Sequence, residues 1–340
     1  MMKCSVVILN WNGENWLRQF LPSVVRNTTD DGCEVVVADN CSTDGSVALV
    51  RAEFPSVRLL LFDKNYGFAE GYNKAVDAIE SEYVVLLNSD VEVTEHWLTT
   101  LLQFMDANSQ VAAVQPKILS WKSKQTSPED IKFEHAGAAG GEIDVLGYPY
   151  CRGRLMTHIE TDHGQYDTPK QVFWTTGACM LIRTDVYKKE GGLDGSFFAH
   201  MEEIDLCWRL NCRGYELWCL PESKVYHVGG GALGYENPQK TYLNFRNSLL
   251  TLYKNMPANR LWWVMICRFV LDYTAALQML CTGHPLNARA VIRARMDFLR
   301  MRKCYSQCRR HNKLKAVNAF PTTISWRSIV LDFYIRRMCN

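Results

Sequence analysis

Val35-Val-Val-Ala-Asp39-Asn-Cys-Ser-Thr-Asp44-Gly-Ser46 is the stretch that decides the fold. Its β-branched run reads as a buried strand, and the acid that ends it stands where a parallel strand delivers residues to a ligand. Asp39 can accept the N3–H of a uracil or thymine base. Asp44, followed by Gly45-Ser46, reads as the cap or turn into the next helix, a structural role.

Working outward, further apolar runs occur at residues 5–9, 58–62, 83–87 and 111–114, and helical spacing lies between them. Trp16, Leu17, Phe20, Leu21, Val24 and Val25 mark the first helix. A later one, expected to open near Thr94 as its N-cap, lines Trp97, Leu98, Leu101, Leu102 and Met105 along one face. The alternation predicts an α/β fold with a mostly parallel central sheet, helices on both faces and ligands at the carboxyl ends of the strands. The first strand ends in Asn10-Trp11-Asn12-Gly13, not in a glycine-rich phosphate turn, which disfavours a dinucleotide-binding oxidoreductase. Trp11 either stacks on a base or covers the sheet edge.

With 47% apolar and 22% charged residues in 340, the composition is that of a globular enzyme. A net charge of +2 argues against a nucleic-acid partner. Thirteen cysteines without a C-x-x-C pair fit neither a zinc knuckle nor a disulfide framework, and point to a reducing, cytoplasmic setting. The apolar run Val6 to Leu9 is too short for a signal peptide and reads as a first strand. Residues 120–170, with Gly137-Ala-Ala-Gly-Gly141 and Gly147-Tyr-Pro-Tyr150, read as a long excursion over the site. A helix is expected near Glu202–Cys212, and a short strand at 217–220.

Three more places could carry chemistry. Leu86-Leu-Asn88-Ser-Asp90 places a carboxylate at the same sheet edge as Asp39, where it could hold a hard cation, although alone the pattern would equally make a turn. Phe197-Phe-Ala-His200-Met-Glu202-Glu203-Ile-Asp205 crowds acids ahead of a helix. They either favour its N-terminus electrostatically or include one carboxylate that deprotonates an acceptor hydroxyl. Val225-Tyr-His227-Val-Gly-Gly-Gly231 offers a histidine as a metal ligand, with a structural histidine as the alternative.

Ser5-Val-Val-Ile-Leu-Asn-Trp-Asn-Gly, Asp39-Asn-Cys-Ser-Thr-Asp-Gly-Ser, Asn65-Tyr-Gly-Phe-Ala-Glu-Gly-Tyr-Asn73, Leu86-Leu-Asn-Ser-Asp90, Gly177-Ala-Cys-Met-Leu-Ile-Arg183 and Gly192-Leu-Asp-Gly-Ser-Phe-Phe together resemble family 2 glycosyltransferases, especially their rhamnosyltransferase-like bacterial branch. The resemblance implies a GT-A fold and inverting transfer of a sugar from a UDP- or dTDP-linked donor, dTDP-rhamnose among the options. It also implies a glycan or lipid-linked acceptor in cell-surface polysaccharide synthesis, and Mn2+ or Mg2+ as cofactor. Asp39, Asn10, Trp11, Asn65, Asn88 and Arg246 are assigned to the nucleotide by this likeness and the strand positions, Asp90 and His227 to the metal. Glu203 is the implied base, with Glu202 beside it. Trp174 is a candidate acceptor platform, a core ring being the alternative.

By the same division, residues 1–255 form the catalytic domain, split near 115 into nucleotide and acceptor halves, and 256–340 a helical C-terminal region. Residues 261–281 are long enough to span a bilayer, but Arg268 and Asp272 would each cost roughly 2.5–3.5 kcal/mol at its centre. Trp262, Ile266, Phe269, Tyr273, Leu277 and Leu280 share one face, so the helix either lies in a membrane interface or packs on the domain. From Arg289 to Lys315 ten basic residues face a single acid, Asp297, which suits peripheral contact at the inner face of the cytoplasmic membrane or a solvated helix. Rival readings are a sugar-phosphate nucleotidyltransferase, whose glycine- and arginine-rich first turn is missing here, and an inactive carbohydrate-binding protein, disfavoured by the full set of acids. No Q-x-x-R-W pattern of a processive synthase is present.

Overall fold

Apolar runs and amphipathic segments alternate as the spacing predicts, in a computed structural model that describes residues 2–28, 32–229 and 237–334. The first half runs β1 (Met2–Asn10), α1 (Glu14–Asn27), β2 (Cys33–Asp39), α2 (Ser46–Glu53), β3 (Arg58–Leu61), α3 (Gly67–Asp77), β4 (Ser81–Asn88), β5 (Val91–Val93), α4 (Trp97–Ala107) and β6 (Val111–Ser120). After α5 (Trp121–Thr126) come five short strands: β7 (Gly141–Asp144), β8 (Pro149–Cys151), β9 (Arg154–Leu155), β10 (His158–Ile159) and β11 (Lys170–Gln171). Then follow β12 (Cys179–Arg183), α6 (Thr184–Lys189), α7 (Glu202–Cys212) and β13 (Glu216–His227). The chain closes with α8 (Pro238–Asn255), α9 (Ala258–Cys281), α10 (Pro285–Met301), α11 (Ser306–Lys315), β14 (Ile324–Ser325) and α12 (Ile329–Tyr334).

The main sheet has the order β11-β13-β6-β12-β4-β1-β2-β3, with β5 on β13. Strands β3, β2, β1 and β4 are parallel, and β13 and β6 share their direction across an antiparallel β12. Successive side chains on a strand point to opposite faces. Hence Val7, Val36, Val84 and Leu86 pack under α3, while Val6, Ile8, Val35, Val37 and Leu87 pack against α1 and α4. Each such side chain stabilises the fold by roughly 1.5–3 kcal/mol on burial.

Two expectations are corrected. Thr94 does not cap α4, because β5 keeps the chain paired to β13 through Val93. Its hydroxyl donates to the Lys224 carbonyl at 2.7 Å, and the helix starts at Trp97 after a left-handed His96. The strand expected at 217–220 runs on to His227. Pro221 cannot donate to the ladder, and a bulge between Leu220 and Lys224 carries the strand past it.

The excursion builds a second sheet in the order β10-β9-β8-β7-β14. Its last strand comes from the C-terminal region and pairs parallel with β7. Val264, Phe298 and Ile324 belong to the same apolar core as Val7 and Leu86, so position 255 marks a change of layer and not a second core.

α9 is inside out. Its buried residues are Val264, Arg268, Asp272 and Ala276, four apart along one stripe. Asp272 accepts from Arg268 Nε at 3.3 Å and from Arg295 Nη1 of α10 at 2.5 Å, and Arg268 Nη1 donates to Ser248 at 3.0 Å. Asp272→Ala would leave two buried guanidinium groups without the carboxylate that both bond and is expected to lower stability by about 3–5 kcal/mol. Equilibrium urea unfolding measures this, and a loss within error of zero would show that water reaches the pair.

Candidate active site at the carboxyl edge of the sheet

The site forms where neighbouring strands end. Asn10 and Asp39 are opposite each other at the ends of β1 and β2, and Leu9 is opposite Asn88 at the end of β4. The Asn10 amide donates to Asp39 Oδ1 at 3.0 Å and to Ser42 Oγ at 3.1 Å, while Asp39 Oδ2 accepts from the Ser42 backbone at 2.9 Å. These bonds fix the carboxylate before any ligand arrives. Trp11, 57% exposed, stands free beside them. Asp44 takes its structural role, accepting from Glu14 N at 3.0 Å and from Ser46 N at 3.1 Å at the start of α2. Asn65 is bound by the Asn40 amide at 3.0 Å and accepts from Gly67 N at 2.8 Å, so it shapes the start of α3 next to Asp39.

β4 and β13 end together. His227 Nε2 lies 3.1 Å from Asp90 Oδ1 and 3.4 Å from the Asn88 amide. On its other side Nδ1 is 3.2 Å from Glu134 Oε2, without hydrogen-bonding geometry, so this contact is one of charge. Burial works against the imidazolium, but Asp90 and then Glu134 outweigh it and raise His227 to about 10. Glu134 came from the excursion and was not anticipated. Its nearest signal was an acid set in a glycine-rich stretch, at Glu134-His-Ala-Gly137. Gly230 and Gly231, which follow His227 in the sequence, lie outside the described residues.

α7 supplies the acids. The Asn88 backbone N–H donates to the Ala178 carbonyl at 3.0 Å, and a Cβ placed on adjacent Gly177 would meet Phe68 at 3.2 Å and Glu203 Cβ at 4.0 Å. Glu203 is therefore drawn to the same edge as Asp90. Glu202 is buried and Glu203 half-buried. Burial raises Glu203 to about 7, and burial together with the Glu203 charge raises Glu202 further. Among the described residues, Asn10 Oδ1, His200 Nε2, Glu202 Oε2, Glu203 Oε2 and His227 Nδ1 are all buried here without a hydrogen-bond partner. Unpaired buried polar atoms mark a place where a partner is missing from the protein itself.

The turn before α7 is strained. Phe198, His200 and Met201 have φ of 66°, 70° and 73°, a region that side chains other than glycine rarely enter. One amide on α8 holds it: Asn247 Nδ2 reaches the carbonyls of Phe197, Ala199 and His200 at 3.1, 3.0 and 2.8 Å. Arg246, expected at the nucleotide, instead donates to the carbonyls of Ser196 and Phe197 and to Asn247 Oδ1. It positions the turn. Trp174 is also corrected. It is only 4% exposed, donates to the Glu142 carbonyl at 2.9 Å, and packs so tightly on Gly141 that a Cβ there would lie 2.1 Å from the ring, leaving no face for an acceptor.

Asp90 and His227 fit a shared cation that would take the place of the imidazolium proton between them, since only a deprotonated Nε2 can bind an ion. Two donors in adjacent positions of an octahedral ion, each about 2.1 Å from it, are about 3 Å apart, and Nε2 and Oδ1 are 3.1 Å apart. Two protein ligands leave room for phosphate oxygens, as such ions prefer. Among the described residues no group of three or more His, Cys, Asp or Glu is arranged to enclose a metal alone.

The profile of glycosyl transferase family 2 matches residues 5–191, more than half of the chain. The chain is a family 2 glycosyltransferase. N-acetylglucosaminyl-diphospho-decaprenol L-rhamnosyltransferase of Mycobacterium tuberculosis (strain ATCC 25618 / H37Rv) is 25% identical over 289 residues, 80% of this glycosyltransferase and 90% of that protein. Rhamnosyltransferase WbbL of Escherichia coli (strain K12) is 21% identical over 229 residues, 65% and 82% of the two chains. In fold, the glycosyltransferase matches the crystal structure of GalNAc-T7 with UDP, GalNAc and Mn2+ at a TM-score of 0.59 and 15% identity, over 88% of this chain and 54% of that one. The fold is thus GT-A, as the resemblance implied.

Proposed function

We propose that this glycosyltransferase moves a sugar, with inversion, from a dTDP- or UDP-linked donor to a hydroxyl of a lipid-linked saccharide in cell-surface polysaccharide synthesis. One observation carries it: Asp39, the Asp90–His227 pair and Glu203, far apart in sequence, converge on one sheet edge. Asp39 reads the pyrimidine from a carboxylate already fixed by Asn10 and Ser42. Glu203, half-buried and the lower of the two acids, takes the acceptor proton, while Glu202 keeps its own. Asp90 and His227 hold a divalent cation, which supplies positive charge against the leaving diphosphate. The rhamnosyltransferase names of two relatives support L-rhamnose as the sugar, and the diphospho-decaprenol in one of them supports a lipid-linked acceptor. All twelve described cysteines are free thiols, which supports a reducing, cytoplasmic setting.

The test is a panel of nucleotide sugars offered with a lipid-diphosphate saccharide, with and without manganese. Release of nucleoside diphosphate with a β-configured product from an α-linked donor, or the converse, is expected. Retention of configuration, or release of inorganic pyrophosphate, would overturn the proposal.

pH dependence follows from the base. Glu203 carries a proton and cannot accept one below about pH 7, and is ionised above it. Accordingly kcat/KM should rise about tenfold per pH unit below that point and level off above it. A profile that falls with rising pH across this range would move the base elsewhere.

A further inference from the structure

We propose that the outer face of α9 and α10 is a docking surface for an anionic lipid bilayer. The inference is independent of the donor and the reaction. α9 has 24 residues and a mean hydropathy of 1.4 in its most apolar window, yet only 22% of that window is buried. The buried stripe holds the Arg268–Asp272 pair, so the apolar residues are turned outward. Trp262 is 65% exposed and Leu277 61%, with Ile266, Phe269, Val270 and Leu280 between or beyond them. On α10, Leu286, Ile292, Met296 and Leu299 extend the same exposure. A contiguous apolar face of this extent marks an interaction site.

Charge identifies the occupant. Trp262, Ile266 and Phe269 line a groove of about 540 Å3 together with the exposed Arg302 and Lys313 and with Arg309, which is buried and donates to the Tyr253 carbonyl. Among the described residues neither Arg302 nor Lys313 pairs with a carboxylate. An apolar ridge bordered by unneutralised cations matches acyl chains beneath phosphate headgroups. It does not match a second copy of the chain, because a twofold contact would bury two cationic grooves in one interface. Nor can α9 leave the protein to cross the bilayer, since Arg268 and Asp272 are tied to Ser248 and Arg295.

Flotation of the full chain with phosphatidylcholine vesicles, and with vesicles in which phosphatidylglycerol replaces part of that lipid, tests the proposal. Binding to the second kind is expected, weakened at least tenfold by high salt. Two variants altered only at the groove and ridge, Trp262→Ser/Phe269→Ser/Leu277→Ser and Arg302→Gln/Lys313→Gln, should each bind at least tenfold more weakly while nucleotide-sugar hydrolysis without acceptor is unchanged. Equal binding to both vesicle kinds would overturn the proposal. So would unaltered binding of the serine variant, or a dimer in sedimentation that the serine substitutions dissolve while the parent chain fails to float. Failure of sugar transfer with flotation intact would count against the reaction alone.

Discussion

Glu203→Gln is expected to lose transfer by about 10²–10⁴-fold, the range a positioned general base contributes, while donor binding and fold persist. Glutamine keeps the shape of the side chain at the start of α7 but cannot take a proton. Binding should survive because the proposed donor contacts belong to Asp39, Asp90 and His227, on other elements. Stability makes the test sharper. The native Glu203 holds its proton to about pH 7, whereas an unfolded glutamate releases it near about 4.3, so ionisation costs native stability as pH rises between these values. The glutamine variant avoids that cost and should be at least as stable at pH 8 as the parent chain. Single-turnover transfer, equilibrium donor binding and thermal unfolding on one preparation separate the outcomes. Equal loss of binding and transfer would place the base on another residue, Glu202 first.

For Asp90→Ala the expected result is loss of metal-dependent turnover. A bound cation stabilises developing charge by several kcal/mol, which corresponds to about 10²–10³-fold in rate. The fold should survive, because Glu134 still faces His227 from the other side. Titrating manganese in the presence of nucleoside diphosphate should show weaker metal binding, and raising its concentration should restore part of the rate. Turnover equal to that of the parent chain, with or without manganese, would remove Asp90 from the metal site.

What the sequence made legible follows from how local each feature is. Asp39 and Asn88 end apolar β-branched runs, and period-two burial together with parallel pairing places strand ends on one edge. α7 begins at Glu202 as its acids and apolar spacing suggested. Trp174 was ambiguous because an aromatic beside a glycine-rich segment reads alike as a platform or as core. Its close packing on Gly141 is a contact across 33 positions that no local pattern reports. Glu134 was missed for the same reason, since it reaches His227 only by bonding back onto β6, where its backbone N–H donates to the Ile118 carbonyl and Phe133 bridges to Leu119. In α9 the apolar stripe was plain in the spacing, but its direction was not. Tyr148 and Arg295, from distant segments, receive the polar side and thereby turn the other face outward.

The amide of Asn247 grips carbonyls, which every residue owns, and no side chain of the turn it holds. The path of the turn is therefore set from α8 and not by the side chains of Phe198, Ala199, His200 and Met201, beyond the left-handed backbone that three of them must tolerate. Drift at Asn247, or at Arg246 beside it, would release the turn and misplace the acids at once. The record of selection on this active centre should be sought one helix away from the chemistry, in a residue that touches neither sugar nor nucleotide.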